Sequence, residues 1–430
     1  MSDSRKIAAE VLKKVFRNKN FETSIIETRD FEKLDPRDKS FVRLIVLETL
    51  RHNGQIDFII SKFLKKPMKS KNSFIENLLR ISISQILYLD IVEYSVVNSA
   101  VEISKKYNLS KFVNALLRNV CREKESLQKK ISEEKNIPDW IKKDIIDFFG
   151  TKIFEDISKT ITKEPYLDIK IKSQSYGERK WEKLFGGFEI LKETLRIKNQ
   201  GNISELPFFY DGDWWIQGVS ASIPVRIINK IFKKNDRKKI NILDVCAAPG
   251  GKSFQLLDNG YNVVSLDKSP LRIKKLKENF KRLNFNSKIV CGDIKTYKSN
   301  FLYDCILIDA PCTASGLIQK KPDILVKDKS PNLKKITENQ LKILLSCSQK
   351  IKKGGYLVYT VCSILQAEGI KLIKKFLKNN NNFDLVKIED NFKHVAQTYE
   401  NGYVISIPTN LKKFGGVDGF FTVCLKRIKK

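Results

Sequence analysis

Apolar residues recur at intervals of three and four through the first part of the chain. Ile7, Ala8, Val11, Leu12, Val15 and Phe16 form the stripe of one amphipathic helix. Asp35-Pro36 supplies an N-cap and a first-turn proline for the next helix, whose stripe includes Phe41, Leu44, Ile45 and Thr49. Helical patterns continue over 58–64, 74–89, 96–107 and 112–120, with a glycine turn only near Gly54. This part is expected to be all-α. It gives way at 122–136 to a run that is nearly all charged or polar, read as a linker or an exposed helix and taken as the boundary.

From 138 to about 225 the pattern is mixed. A helix is predicted over 140–149, residues Leu167 to Lys172 alternate, and short strand-like runs surround Phe208 and 214–216. A small α+β insert is expected. After Lys239 strands alternate with helices. Strands are predicted over 240–245, 262–266, 287–291, 303–308, 355–360, 383–388 and 419–425, with helices such as 271–283 and 336–352 between them. That rhythm predicts a mostly parallel, doubly wound, Rossmann-like α/β sheet. The chain is therefore expected to be multidomain, with a helical domain at 1–125, a linker and small α+β region at 137–225, and an α/β domain at 226–430.

Charge narrows the partners. Lys and Arg number 80 against 49 Asp and Glu, a formal net charge of +31. A bias toward lysine does not by itself require such an excess, so a polyanion is expected, nucleic acid ahead of an anionic membrane. The first residues, Met1-Ser2-Asp3-Ser4-Arg5-Lys6, hold no apolar signal core, and Arg80, Asp90 and Glu93 break the longest apolar run. No membrane association and a cytoplasmic location are expected. The eight cysteines (121, 246, 291, 305, 312, 347, 362 and 424) include no C-x-x-C pair, and His52 and His394 are the only histidines, so no metal site is expected. Scarce histidine leaves proton transfer to carboxylate, thiolate, lysine or water.

Three short segments carry the chemistry. The turn after the first α/β strand reads Cys246-Ala247-Ala248-Pro249-Gly250-Gly251-Lys252-Ser253. Cys246 stands where a Walker A loop needs its first glycine, and Pro249 lacks the N–H of a pyrophosphate-binding loop. Asp267 ends the second strand, where ribose hydroxyls are held, and Asp293, after Cys291-Gly292, suits an adenine amino group. In this order they point to an adenosine-containing cofactor without a pyrophosphate, such as S-adenosyl-L-methionine. Asp309-Ala310-Pro311-Cys312 and Thr360-Val361-Cys362-Ser363 end the next two strands. A lone cysteine is usually a small buried hydrophobe. Two thiols at neighbouring strand ends beside a cofactor turn suit methyl transfer to carbon 5 of a pyrimidine, which needs one thiolate to add at C6 and a base to remove the C5 proton. Asp309 suits the N3 edge of a cytosine.

These segments closely resemble the bacterial RNA 5-methylcytosine methyltransferases, and the closing Asp418-Gly419-Phe420-Phe421 matches them as well. Residues Asp38 to Val42, Val97 to Glu102 and Phe112 to Asn119 resemble the NusB-like RNA-binding module. The fusion is similar to the RsmB (Sun/Fmu) type of 16S ribosomal RNA methyltransferase. The resemblance implies that Cys362 is the nucleophile and that Cys312 releases the product. It also implies that Cys246 to Lys252, Asp267, Asp293 and Asp309 contact S-adenosyl-L-methionine, and that small-subunit ribosomal RNA is the partner of a monomeric enzyme. Lys252 is expected near the thiols, where its charge favours a thiolate. Four places depart from the family pattern: Gln217-Gly218, Lys320-Lys321 before Pro322-Asp323, Thr313, and Glu368-Gly369. Transfer RNA as substrate, or a catalytically silent NusB-like binding factor, are the alternatives; the intact thiols, Lys252 and Asp309 count against the second.

Overall fold

The structure, a computed structural model, describes residues 4–17, 19–64, 66–198, 201–327, 332–390 and 392–428. Contact density divides the chain into two compact units, one of residues 1–163 with 318–330 and the other of 164–317 with 331–430.

The first unit is helical. Its core gathers Leu12, Ile45, Leu78, Leu79 and Val113 from successive amphipathic helices. Asp35 caps the helix Pro36–Arg51 by accepting from the Asp38 amide at 2.8 Å. Arg80, one of the charges that breaks the longest apolar run, is buried against Asp57 (2.7 Å) and Glu76 (3.1 Å), and lies over the Phe16 ring. The polar run at 122–136 is packed rather than free. It forms the helix Lys124–Lys130 with Leu127 buried, and Asn136 exchanges hydrogen bonds with Gln55. The helices Asp139–Phe149 and Thr151–Ile161 also fall within this unit, so the region expected at 137–225 is divided between the two.

The second unit holds two sheets. The smaller runs β2–β3–β1–β4, antiparallel throughout, from β1 (Leu167–Ile171), β2 (Phe188–Leu191), β3 (Thr194–Ile197) and β4 (Trp214–Ile216). The strand expected around Phe208 is a turn; Phe208 has φ +60° beside Pro207, whose nitrogen has no hydrogen to give a ladder. The larger sheet contains β5 (Asn241–Val245), β6 (Asn262–Asp267), β7 (Lys288–Cys291), β8 (Tyr303–Asp309), β9 (Ile351–Val361), β10 (Phe383–Leu385), β11 (Gln397–Thr398), β12 (Val404–Ser406) and β13 (Phe420–Arg427). Its order is β11–β12–β13–β9–β8–β5–β6–β7, with β10 also on β13. The run β9–β8–β5–β6–β7 is parallel, whereas β10 to β13 pair antiparallel. The helix expected over 336–352 is Leu333–Ser348, because Ile351 already pairs with Tyr303 and the register then slips before Tyr356, with Gly354 at φ +76°. The strand order reverses about β5, so the carboxyl ends of β5, β6 and β8 frame the crevice where doubly wound folds bind ligands.

Candidate active site

The turn after β5 has Cys246 at φ +63° and Gly250 at φ +118°. A Cβ on Gly250 would stand 2.2 Å from the Phe254 ring and 2.6 Å from Leu276, so only glycine fits there. The Ala247 amide bonds Leu266 of β6, and the Ala248 amide bonds the Asp267 carboxylate at 3.2 Å. Arg272 bonds the Ala248 carbonyl and pairs with Asp267. Below the turn, Ser253 donates to Asp244 at 2.5 Å and meets Ser265 at 2.9 Å.

A cleft at the ends of β5, β6 and β7 is lined by Cys246, Asp267, Lys268, Asp293, Lys295 and Asn339, among others. Asp267 is buried, and its second oxygen accepts from the Ser269 amide at 3.0 Å. Burial pulls the Asp293 carboxyl upward, but the Lys295 amide and ammonium outweigh it and hold the group below the usual range. Cys246 is pushed up to about 12, first by burial and then by Asp309 and Asp267, so it stays a neutral thiol. Ala247, Ala248, Pro249, Gly250 and Gly251 shape the turn without lining this cleft. The donor set fits S-adenosyl-L-methionine: two carboxylates at successive strand ends face a neutral thiol. The fully buried Asp244 also leaves its Oδ1 without a hydrogen-bond partner among the described residues.

The second cluster stands at the ends of β8 and β9. These strands are parallel with Asp309 opposite Thr360, which brings the loops that follow them together. The sulfurs of Cys312 and Cys362 lie 3.3 Å apart, joined by a hydrogen bond and not by a disulfide. The hydrogen bond with Cys362, and then burial, push Cys312 well above the ordinary thiol range. Cys312 therefore carries its proton at neutral pH. Lys252 Nζ bonds Asp309 at 2.7 Å and lies over the Phe420 ring, which brings the closing Asp-Gly-Phe-Phe segment to the same cluster. Burial alone would lower Lys252; the nearby Asp309, Asp244 and Cys362 more than offset it and raise the pKa.

The sequence pattern marks Glu368 only as part of a departure from the family pattern, and gives no sign of the burial and contacts of three features of this cluster. Glu368 is fully buried between the two thiol loops, Gln340 reaches it from the helix Leu333–Ser348, and Gly316 touches Gly419 backbone to backbone. A single acid or glutamine at such spacing reads as a surface residue. Among the described residues no group of three or more His, Cys, Asp or Glu is placed to hold a metal ion, and no helix is long and apolar enough to cross a membrane.

Fold and site together define an RNA methyltransferase that uses S-adenosyl-L-methionine. Residues 231–426 match the family described as 16S rRNA methyltransferase RsmB/F, and residues 2–122 match the NusB family. The chain thus joins a region of the RsmB/F methyltransferase family to a NusB-family region on its N-terminal side. The probable ribosomal RNA small subunit methyltransferase B of Bacillus subtilis is 28% identical over 456 residues, covering 99% of this chain and 98% of that one. The ribosomal RNA small subunit methyltransferase B of Pasteurella multocida is 27% identical, covering 99% and 96%. Among solved structures, PH0851 superposes with a TM-score of 0.76 at 21% identity, covering 99% of this chain and all of that one. NSun6 from Pyrococcus horikoshii gives 0.58 at 19%, covering 69% and 99%. At these identities the two structures establish the fold.

Proposed function

We propose that this chain forms 5-methylcytosine in small-subunit (16S) ribosomal RNA through a covalent adduct between Cys362 and C6 of the base. The observation that carries the reading is the 3.3 Å separation of the Cys312 and Cys362 sulfurs at the ends of adjacent parallel strands. Carbon 5 of cytosine is a poor nucleophile until a thiolate adds at C6 and makes the ring enamine-like. Cys246, Asp267 and Asp293 would hold S-adenosyl-L-methionine, which would supply the electrophilic methyl group.

Cys362 is the attacking sulfur in this reading, as the family resemblance implies, and the Lys252 charge lies near it. Asp309 and Lys252 share a hydrogen bond from which N3 of the base receives a proton as sulfur adds. Once C5 is methylated, its remaining hydrogen leaves as a proton to a water that Cys312 positions, or to Cys312 itself after that thiol, its bond with Cys362 broken by the adduct, has given its own proton to water. The C5–H electrons form the C5=C6 bond, the C6–S electrons leave with Cys362 as thiolate, and N3 returns its proton to the Asp309–Lys252 pair. The target base has to leave its stack, at a cost of a few kcal/mol that is least in a loop. The +31 charge supplies the attraction, in a salt-dependent way. In this reading the NusB-like region at 1–125 and the region at 137–225 bind RNA, and the enzyme works in the cytoplasm as a monomer.

The test incubates purified protein with radiolabelled S-adenosyl-L-methionine and unmodified 16S ribosomal RNA, with transfer RNA as a parallel arm. Label in ribosomal 5-methylcytosine, none with Cys362→Ala, and an RNA–protein adduct that accumulates with Cys312→Ala is the expected result. An adduct that requires Cys312 reverses the two roles. Label in transfer RNA alone overturns the substrate, and cofactor binding with no label in any RNA favours a binding factor.

A further inference from the structure

Glu368 takes no part in the chemistry above, yet it is fully buried beside both thiol loops. Its Oε1 accepts from the Thr313 amide at 3.0 Å and from Gln340 Nε2 at 2.9 Å. Its Oε2 accepts from the hydroxyls of Thr313 at 2.6 Å and Ser363 at 2.5 Å. Thr313 follows Cys312 and Ser363 follows Cys362, so one carboxylate grips the residue next to each thiol. Gln340 also bonds the Pro311 carbonyl at 3.0 Å, on the other side of Cys312. The Ser363 hydroxyl meets Ser315 at 2.9 Å, which ties the two loops a second time.

The donor set suits a carboxylate. Four donors converge on two oxygens, which a carboxylate accepts in full; an amide would keep the two N–H donors but would require the Thr313 and Ser363 hydroxyls to turn round and accept. Among the described residues no Lys or Arg forms an ion pair with Glu368. A charge buried without a counter-ion is costly unless it is fully hydrogen-bonded. Simple loop packing needs no such charge.

We propose that Glu368 is the positioning residue of the two-thiol centre, fixing the spacing of the Cys312 and Cys362 loops and presenting its negative charge to Cys312. The division of labour between the sulfurs then follows from its placement; the proposal rests on the catalytic reading above. Glu368 is among the groups that raise Cys312, behind the bond with Cys362 and burial. The ionisable groups facing Cys312 are Cys362, Glu368 and the buried phenol of Tyr359, whose hydroxyl donates to the Glu368 carbonyl at 2.9 Å.

Two readouts on the full-length protein test this. The first is alkylation by iodoacetamide over roughly pH 6 to 10, with each cysteine resolved by peptide mapping. The second is single-turnover methyl transfer to RNA, with affinity for S-adenosyl-L-methionine as the check on folding. In Glu368→Gln, Cys312 is expected to alkylate faster, with its pH midpoint shifted down, and methyl transfer to fall by about 10²-fold, the scale of a small misplacement of reacting groups. Cofactor affinity stays near wild type. Thr313→Val removes one donor and shifts both readouts in the same directions by less; it carries the test if Glu368→Gln does not bind cofactor. Alkylation profiles and transfer rates that superimpose on wild type in a folded variant overturn the proposal. A wild-type protein that methylates no RNA defeats the catalytic reading instead, and the alkylation profiles still decide the role of Glu368.

Discussion

Lys252 Nζ stands 2.7 Å from Asp309 Oδ2, joining the helix that follows β5 to the end of β8. The lysine side chain is 9% exposed and the aspartate 33%. Removing the aspartate leaves an ammonium buried without its partner, which is the costlier half to orphan. Asp309→Asn is therefore expected to destabilise more than Lys252→Met, by at most about 3 kcal/mol, the low end for a buried pair because Asp309 is partly in water. The double variant recovers part of that loss, and urea unfolding of the three proteins measures it. Both single variants lose methyl transfer. Because Lys252 is raised in the fold, its contribution is complete below the unfolded lysine value of about 10.4 and is lost only as pH climbs through the higher folded value. Lys252 therefore contributes no slope to stability near neutrality.

Arg196 and Asp168 form the most enclosed ion pair of the smaller sheet, at 2.7 and 2.9 Å, with both side chains almost fully buried. Arg196 also donates to the Gly416 carbonyl, and Asp168 accepts from the Val219 amide, so the pair ties this sheet to the rest of its unit. Asp168→Ala is expected to cost about 3–5 kcal/mol, the range for one partner of a buried pair. Equilibrium denaturation checks it; a loss under about 1 kcal/mol, as for an exposed pair, would sink the argument.

Much of this was legible because the relevant signals are local. The Asp35-Pro36 cap, the apolar stripe from Ile7 to Phe16, and the strands ending at Val245, Asp267 and Asp309 are each set by neighbours in sequence. The order of the segments alone places Cys312 and Cys362 at neighbouring strand ends, and the β8–β9 register gives the reason. Long-range closure left no such trace. β10, which pairs with the last strand, is short and antiparallel; β11 and β12 span only Gln397–Thr398 and Val404–Ser406, too few residues for alternation to stand out. The Glu368 bonds join residues up to 55 positions apart, and nothing local marks that acid as buried.

Asp244 offers a pH signature. Burial, only partly countered by Ser253 and Lys252, pushes its carboxyl up to about 7. An acid raised in the fold binds its proton more tightly when native, so its contribution is complete below the unfolded value of about 3.9 and fades as pH rises toward 7. Asp244→Asn imitates the protonated group and keeps an acceptor for Ser253. Thermal unfolding from about pH 5 to 8 is expected to show the wild-type midpoint falling relative to that of the variant. Parallel curves would place the Asp244 titration elsewhere.

Gly316 gives the sharpest separation of catalysis from cofactor binding. A Cβ there would stand 1.9 Å from the Gly419 carbonyl oxygen and 2.5 Å from its carbon, contacts that only backbone movement relieves. The Gly316 amide bonds the Cys362 carbonyl at 3.1 Å, and its own carbonyl accepts from Gly419 at 2.8 Å. Gly316→Ala therefore pushes apart the loop that carries Cys312, the loop that carries Cys362 and the start of β13. A displacement near 1 Å at reacting groups costs about 10²-fold in rate. Cys246, Asp267 and Asp293 stand at the ends of other strands, so affinity for S-adenosyl-L-methionine is expected to survive. Gly177→Ala is the control, because nothing lies within 4 Å of the added atom and its backbone is right-handed. Single-turnover transfer and calorimetric titration of cofactor, run on both variants, separate the outcomes. A Gly316→Ala protein that transfers methyl groups as fast as Gly177→Ala would mean that the thiol loops tolerate movement, and the close packing at Gly419 would then serve stability alone.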